Sequence, residues 1–186
     1  MSTVARLLTY DDLCRMPDDG QRYEIIGGQL IVSPSPVRAH QELLGDLYAV
    51  IRSHVRRHRL GMVYFAPVDV RLSPHDVVQL DLLFIREDRL DIYKARGDVK
   101  GPPDLVVEII SPSSEKTDPG RKFDLYAASG VPEYWLADPA THRFQLFVLH
   151  DGRYTETSPV AGRLHSTVIA GLVLDPSALF AGITEV

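Results

Sequence analysis

Two carboxylates lie inside stretches of sequence that are otherwise apolar. Glu108 interrupts LVVEII, and Asp81 interrupts VVQLDLLFI. Burying a carboxylate without a partner costs several kcal/mol, and neither acid has an oppositely charged neighbour in the sequence. One such acid is typical of a buried salt bridge or an edge position, whereas two acids on strands that pair indicate a shared purpose. Because close carboxylates repel unless a cation neutralises them, and because Mg²⁺ prefers oxygen ligands, the pattern predicts a divalent metal held by Asp81 and Glu108.

Chemistry at such a metal needs a further group, and Lys122 is the candidate. It lies on the first turn of a predicted helix that follows the Glu108 strand. In a strand–loop–helix unit the start of the helix points back toward the end of the strand, so Lys122 could reach the same water or phosphate as the carboxylates. The alternative interpretation is a solvent-exposed lysine on the helix surface.

Three more polar residues are candidates for supporting roles. His40 begins the apolar stripe of a long helix and is predicted to face the sheet, either as a catalytic residue or as a hydrogen-bonded core histidine. Glu24, in YEII, is either a further acid of the site or an outward-facing hairpin residue. Tyr126 follows Lys122 by one helical turn, and either lines the same pocket or belongs to the core.

Asp104 and the basic run from Arg52 to Arg59 are interpreted as structural features and not as parts of the site. Asp104 would lie about 13 Å from Glu108 along a straight strand, which is too far for one metal to bridge, so we exclude it from the metal site. The basic run RSHVRRHR, from Arg52 to Arg59, lies at a helix C-terminus, where basic residues complement the helix dipole. A phosphate-contacting patch is the alternative interpretation of this run.

Periodicity and turn signals predict the elements that would position these residues. Gly27-Gly28 and Asp151-Gly152 mark two hairpins, one toward each end of the chain. Apolar spacing predicts a long helix over 37–58. A second helix is predicted over 119–129, with Asp118 as its N-cap, Pro119 at its first position and Gly130 just after its end. Further strands are predicted at Val63–Leu72, Val77–Ile85, Leu105–Ile110, Glu133–Ala137 and Leu172–Leu174, with a turn over Pro176–Phe180.

This order of elements predicts one α/β (α+β) domain over residues 1–186. A mixed central sheet is expected between helices, with an N-terminal hairpin and a C-terminal β-hairpin. The strand from Leu105 to Ile110 is the most apolar and is predicted to be central and covered on both faces.

Composition excludes several classes of protein. The net charge of −5 argues against a protein that coats DNA non-specifically, although an enzyme that meets nucleic acid in one groove remains compatible with it. The single cysteine, Cys14, excludes an intrachain disulfide framework and suits a reducing cytoplasm, where we expect the protein to reside. No signal peptide, membrane-spanning stretch, P-loop, dinucleotide fingerprint, nucleophile elbow or cysteine zinc motif is apparent.

Five segments together resemble a known family. YEIIGGQL, SPSPVRAH, DLLFI, PPDLVVEIISPSS and DPGRKFDLYAASGVPEYWLADP are similar to the Uma-type family of restriction-endonuclease-like proteins. The resemblance extends from about Tyr10 to Leu174 and implies the PD-(D/E)XK nuclease fold: a helix, three strands, a helix and a further strand. In that fold, acids on two neighbouring strands hold a metal, which implies Asp81 and Glu108 here, with the backbone carbonyl of Ile109 as a further ligand.

The sequence departs from the general pattern of that superfamily at two positions. Leu80 stands where the motif has proline, a residue without a ligand role. Ile110 stands where the usual lysine would be, two residues after Glu108. The Uma-type pattern moves that lysine to the following helix, which implies that Lys122 takes its role.

Residues and resemblance together predict a Mg²⁺- or Mn²⁺-dependent endonuclease that hydrolyses phosphodiester bonds in nucleic acid, with DNA as the expected substrate. Asp81 and Glu108 would hold the metal, Lys122 would assist the attacking water, and His40 and Glu24 would support them. The alternatives are a non-catalytic binding or assembly module on the same fold, or a hydrolase of a small phosphoester. No membrane partner is expected. The apolar VPEYWLADP strand and the hairpin at Asp151-Gly152 would suit a homodimer.

Overall fold

The computed structural model describes residues 6–33, 35–94, 97–111 and 119–183. Within these ranges the α-helices are α1 Tyr10–Leu13, α2 Arg38–His58, α3 Pro119–Ser129 and α4 Pro176–Phe180, and a 3₁₀ helix spans Glu87–Ile92. The strands are β1 Arg22–Ile26, β2 Gln29–Ser33, β3 Gly61–Phe65, β4 Asp69–Ser73, β5 Asp76–Gln79, β6 Leu82–Arg86, β7 Val99–Lys100, β8 Leu105–Ile109, β9 Glu133–Asp138, β10 Arg143–His150, β11 Arg153–Glu156, β12 Leu164–His165 and β13 Val173–Leu174.

The larger sheet has six strands in the order β11-β10-β9-β8-β6-β3. Strands β8 and β9 run parallel, and the other neighbours are antiparallel. Strand β8 is an interior strand with all five residues buried, as expected for a strand covered on both faces. Leu105, Val107 and Ile109 pack in the core shared with α2, whereas Val106 packs on the opposite face. Because side chains alternate along a strand, Glu108 shares the face of Val106.

The second sheet has five strands in the order β2-β1-β5-β4-β7. The hairpin of β1 and β2 turns at Gly27 and Gly28, whose φ values of 57° and 72° are those that a two-residue hairpin turn requires. The chain leaves this sheet after Gln79 and enters the six-stranded sheet at Leu82. Asp81 therefore lies where the chain crosses from one sheet to the other.

Helix α2 covers one face of the six-stranded sheet. Its buried apolar residues, spaced three and four apart, are Leu43, Leu44, Leu47, Ile51 and Val55. They pack against β3, β6, β8 and β9 around the fully buried Trp135. Burying each such side chain contributes roughly 1.5–3 kcal/mol relative to leaving it exposed, so this face fixes α2 on the sheet.

Helix α3 has the predicted bounds, Pro119–Ser129. Pro119 fits the first helical position because it needs no N–H partner there. At the other end Gly130 has φ 80°, and the N–H groups of Gly130 and Val131 donate to the carbonyls of Ala127 and Tyr126. This pair of bonds is a Schellman motif, which ends the helix where the glycine predicts. Asp118, the predicted N-cap, lies outside the described residues.

Two strands predicted as continuous are each divided in the structure. The stretch 63–72 divides into β3 and β4 because Pro67 has no N–H to donate to a ladder. The stretch 77–85 divides into β5 and β6 at Leu80 and Asp81. The halves belong to different sheets, an arrangement that the predicted single sheet did not include. The predicted turn over Pro176–Phe180 is instead the short helix α4, whose N-cap Asp175 accepts from the N–H of Ala178.

Gly61, the first residue of β3, has φ 145°, and a Cβ added there would lie 2.1 Å from the carbonyl oxygen of Ile85. We predict that Gly61→Ala lowers the free energy of unfolding by more than about 1 kcal/mol, because β6 cannot move aside without disrupting its ladder with β3. Gly152→Ala is the matched control, since Gly152 also has a positive φ, of 77°, but a Cβ there meets nothing within 4 Å. Urea unfolding of both variants measures the difference, and equal losses would contradict the prediction.

Candidate active site

Asp81 and Glu108 lie side by side on neighbouring antiparallel strands. Leu82, the residue after Asp81, pairs with Val107, so one further step of the same register sets Asp81 opposite Glu108. Residues directly opposite each other share a face of the sheet and have Cβ atoms about 4.5–5.5 Å apart. Both side chains are buried, with relative exposures of 2% and 9%. The two acids therefore occupy one buried location, as the sequence predicts.

The Asp81 carboxylate has partners from three different elements. Oδ1 accepts from Nη1 of Arg22 at 2.8 Å, and Oδ2 accepts from the backbone N–H of Ile109 at 2.8 Å. Oδ2 also lies 3.1 Å from Nε2 of His40. Burial acts to raise the pKa of Asp81, but the His40 hydrogen bond, the Arg22 charge and the Ile109 N–H outweigh it and hold the pKa below its ordinary value. Asp81 is therefore an anion at neutral pH.

The Glu108 carboxylate is held by two residues of α3. Oε1 accepts from Nζ of Lys122 at 3.1 Å and from the hydroxyl of Tyr126 at 2.5 Å. Burial raises the pKa of Glu108 above its ordinary value, although the Lys122 charge opposes that rise. Burial likewise raises the pKa of Tyr126 well above its ordinary value, and the Glu108 charge adds to the effect, so the phenol stays protonated and acts as a donor.

Glu24 lies in the same network and points inward from β1. Its Oε1 accepts from Nζ of Lys122 at 2.9 Å and from the backbone N–H of Gln79 at 2.9 Å. Burial lowers the pKa of Lys122, but the charges of Glu108 and Glu24 outweigh burial and raise it. Lys122 is therefore an ammonium ion shared by two carboxylates. Arg22 is two residues before Glu24 on β1, so both side chains share one face of that strand, and Nη2 of Arg22 lies 3.9 Å from Oε1 of Glu24.

We call this set the carboxylate cluster: Arg22, Glu24, His40, Asp81, Glu108, Lys122 and Tyr126. Its members come from β1, α2, the crossing between the sheets, β8 and α3, and contacts connect all of them. Its three carboxylates, of Glu24, Asp81 and Glu108, share two cationic side chains, those of Arg22 and Lys122. Every side chain that the sequence marks as a candidate site residue is in this cluster.

The donor set of the cluster fits a divalent cation. Among the described residues, no group of three or more His, Cys, Asp and Glu side chains is arranged to hold a metal ion. Mg²⁺, however, is commonly bound through one or two carboxylates while waters and substrate phosphates complete its coordination. Asp81 and Glu108 supply two buried carboxylates on one face. In the structure Arg22 forms an ion pair with Asp81, and Lys122 forms one with Glu108.

Arg22 is the cluster member that sequence reasoning missed. The sequence carried a conditional signal: Arg22 is two positions before Glu24 and faces inward only if Glu24 does. Ile109 contacts the cluster through its N–H, and the ligand role of its carbonyl stays a prediction. Asp104 is outside the cluster: it accepts from the backbone N–H of Arg86 at 2.9 Å and from Nη1 of Arg89 at 2.6 Å, which agrees with its exclusion.

The architecture is that of a restriction-endonuclease-like nuclease fold. A solved structure from Anabaena variabilis, described as a "putative nuclease belonging to DUF820", matches with a TM-score of 0.78. The match covers 95% of this chain and 99% of that chain at 20% sequence identity. At this identity the likeness establishes the fold, and the predicted fold class is confirmed.

The family is established by sequence. The profile of the Uma2 family, described as "putative restriction endonuclease", matches residues 9–177. Because the match spans most of the chain, the protein belongs to the Uma2 family, which confirms the resemblance. The comparison with curated proteins found no match. The helices that the structure describes include none with the length and hydropathy needed to span a membrane.

The ion pair of Arg22 and Asp81 generates a prediction about stability. We expect Arg22→Met to lower the free energy of unfolding by about 3 kcal/mol at neutral pH, because it leaves a buried carboxylate without its main counter-charge. A carboxyl whose folded pKa lies below its unfolded value of 3.8 stabilises the protein above that pH and loses this contribution as the pH falls. The deficit of the variant should therefore shrink as the pH falls below about 4.

Urea unfolding across this pH range tests the expectation. The double variant Arg22→Met/Asp81→Asn is the control, since a neutral amide needs no counter-charge and its oxygen can still accept from the N–H of Ile109. It should recover most of the loss at neutral pH. A deficit that stays constant with pH, or that the second substitution does not relieve, would show that Arg22 acts through packing alone.

Proposed function

We propose that the protein is a Mg²⁺-dependent endonuclease that hydrolyses phosphodiester bonds in nucleic acid, with DNA as the substrate. The observation that carries the proposal is the Glu108 carboxylate, which is buried opposite Asp81 and lies 3.1 Å from Nζ of Lys122. This combination of two acids on neighbouring strands and one lysine is what the family resemblance implies. Membership of the Uma2 family supports the same class of reaction.

Asp81 and Glu108 would hold the metal, with the carbonyl of Ile109 as a further ligand. When bound, a divalent metal polarises the scissile phosphate and lowers the pKa of a bound water. Asp81 suits this role because its pKa is held low, so the anion is present at every physiological pH. His40 and the N–H of Ile109 fix the orientation of its Oδ2 atom.

Lys122 acts as a charged donor in this proposal. Its pKa is raised by Glu108 and Glu24, so it keeps its proton and cannot serve as a general base at neutral pH. An ammonium ion beside the phosphate would orient the attacking water and stabilise the negative charge that develops on the phosphorane oxygens. Glu24 and Tyr126 position this pair: Glu24 binds Nζ of Lys122, and Tyr126 binds Oε1 of Glu108.

Substitution of the two central residues tests the proposed chemistry. We predict that Lys122→Ala lowers the cleavage rate by about 10²–10³-fold, the loss typical for removal of one donor to transition-state charge. Glu108→Gln should reduce cleavage at least as strongly because it removes a metal ligand. Nuclease assays with Mg²⁺ on single-stranded, duplex and branched DNA, and on RNA, provide the measurement.

The control variants remove one acid and one lysine from the protein surface, away from the carboxylate cluster. Asp88→Asn removes an acid whose side chain is 72% exposed, and Lys100→Ala removes an exposed lysine of β7. Both should cleave at the wild-type rate. Wild-type cleavage by Lys122→Ala would exclude the lysine from catalysis. A wild-type protein that binds nucleic acid yet cuts none of these substrates with Mg²⁺ or Mn²⁺ would favour the binding-module alternative.

Metal binding has a readout that does not depend on cleavage. A ligand that binds only the folded state stabilises it by roughly 2.7 kcal/mol at a hundredfold excess over Kd, which for a chain of this length raises Tm by about 5–10 °C. We predict that Mg²⁺ or Mn²⁺ produces such a shift and that Glu108→Gln removes most of it. In EDTA this variant should be at least as stable as the wild type, because the raised pKa of Glu108 means that burial disfavours its charged form.

Thermal melts of the wild type and Glu108→Gln in EDTA, Mg²⁺ and Mn²⁺ test this. The variant should have the equal or higher Tm in EDTA and the lower Tm when metal is present. The Asp88→Asn variant is again the control and should respond like the wild type. Equal metal-induced shifts in the wild type and Glu108→Gln would place the cation elsewhere on the protein.

A further inference from the structure

The C-terminal half of α2 forms a basic surface on a protein whose net charge is −5. From Tyr48 to Arg59 the sequence YAVIRSHVRRHR contains four arginines and no acid. An open groove of about 680 Å³ lies along this half of the helix, and its lining residues are Tyr48, Ala49, Arg52, Ser53, Arg56 and Arg57. We call it the arginine groove.

The helix dipole does not account for this surface. The dipole acts within the last turn of a helix, which here contains Arg56, Arg57 and His58. Arg52 lies a full turn earlier and is exposed. Among the residues that the structure describes, no carboxylate forms an ion pair with an arginine of this surface. These charges are thus available to an anionic ligand.

Aromatic side chains connect the arginine groove to the end of β3. The guanidinium carbon of Arg52 lies 5.7 Å from the centre of the Tyr48 ring, and Tyr48 packs edge-on against Phe65 with ring centres 4.7 Å apart. Phe65 is 47% exposed, which is high for a large apolar side chain. It pairs with Leu82, and the next residue, Ala66, donates its N–H to the backbone carbonyl of Asp81 at 3.1 Å.

The spacing along the helix gives this path a direction. Tyr48, Arg52 and Arg56 are four residues apart, so they lie on one face at intervals of about 6 Å. The path begins where the backbone of Ala66 contacts that of Asp81, passes the exposed ring of Phe65 and the ring of Tyr48, and continues over two guanidinium groups. A row of cations with aromatic rings at one end matches a phosphate backbone whose bases can stack on those rings.

We propose that the arginine groove binds a single-stranded segment of nucleic acid adjacent to the bond cleaved at the carboxylate cluster. Arg52 and Arg56 contact successive phosphates, and Phe65 with Tyr48 stacks an unpaired base. This inference rests on the proposed nuclease function for the identity of the substrate. A duplex presents no free base face to Phe65, so the single strand is the preferred form.

Binding measured without turnover tests the inference separately from catalysis. Fluorescence anisotropy in EDTA, with a labelled single strand and the matching duplex, gives Kd as a function of salt concentration. For the double variant Arg52→Ala/Arg56→Ala we expect weaker binding of the single strand and a slope of log K against log[salt] smaller by about 1.4, which is about 0.7 for each lost phosphate contact. Phe65→Ala should weaken binding roughly fivefold to a hundredfold with an unchanged slope.

Matched variants control for charge and for exposed apolar area. Arg153→Ala/Arg163→Ala removes two exposed arginines, of which Arg153 lies on β11 at the far edge of the six-stranded sheet from β3. Met62→Ala removes a side chain of β3 that is also 47% exposed. Both controls should bind as the wild type does, and thermal melts verify that all variants are folded.

The outcomes separate the two proposals. If the groove variants bind as tightly as their controls, or if the duplex binds better than the single strand and Phe65→Ala has no effect, the groove is not the single-strand site, whatever the cleavage assays give. If the groove variants lose binding in EDTA while no protein cleaves with Mg²⁺, the groove inference holds and the nuclease proposal fails.

Discussion

Three carboxylates buried in one place are the constraint on which the structure around the site depends. Each costs several kcal/mol to remove from water, and their mutual repulsion adds to that cost. Two cations offset this cost. Arg22 binds Asp81, and Lys122 binds both Glu24 and Glu108. A divalent cation bound by Asp81 and Glu108, as we propose, would offset the same repulsion. The cost of burying these acids therefore links the folding of the protein to the proposed chemistry.

The cluster exists only because the two sheets and two helices meet at one point. Arg22 and Glu24 come from the five-stranded sheet, Glu108 from the six-stranded sheet, and Asp81 from the crossing between them. Ladder hydrogen bonds cannot fix the position of β1 relative to β8, since these strands are in different sheets. The ion pairs that span the gap, from Arg22 to Asp81 and from Lys122 to Glu24, therefore help to fix how the sheets pack. A change in this packing would disperse the site before it disrupted either sheet.

The parts of the fold that the sequence predicts well are those with local causes. Pro119 and Gly130 act within a few residues of themselves, so the bounds of α3 were predictable, as were the hairpins at Gly27-Gly28 and Asp151-Gly152. The division into two sheets was not, because the pairing of β1 with β5 joins Ile25 to Val77, far along the chain. The acids could be recognised as unusual because their neighbours in the sequence are apolar. Arg22 lies in another sheet, far along the chain from Asp81, so this ion pair could not be predicted from spacing.

Helix α3 shows why a lysine on a helix differs physically from a lysine two residues after the acid on the same strand. A lysine at position 110 would share the face of Glu108 without involving another element, because side chains alternate along a strand. Lys122 instead reaches Glu108 from α3, and Tyr126, one turn later on the same helical face, binds the same Oε1 atom. Rotating α3 by one residue, about 100°, would withdraw both donors together. Glu108 thereby sets the rotation of the helix, and the helix in turn fixes the carboxylate. The position of the ammonium ion is therefore maintained by helix packing as well as by its own side-chain conformation, which gives the acid–lysine pair the rigidity that the proposed stabilisation of a transition-state charge would require.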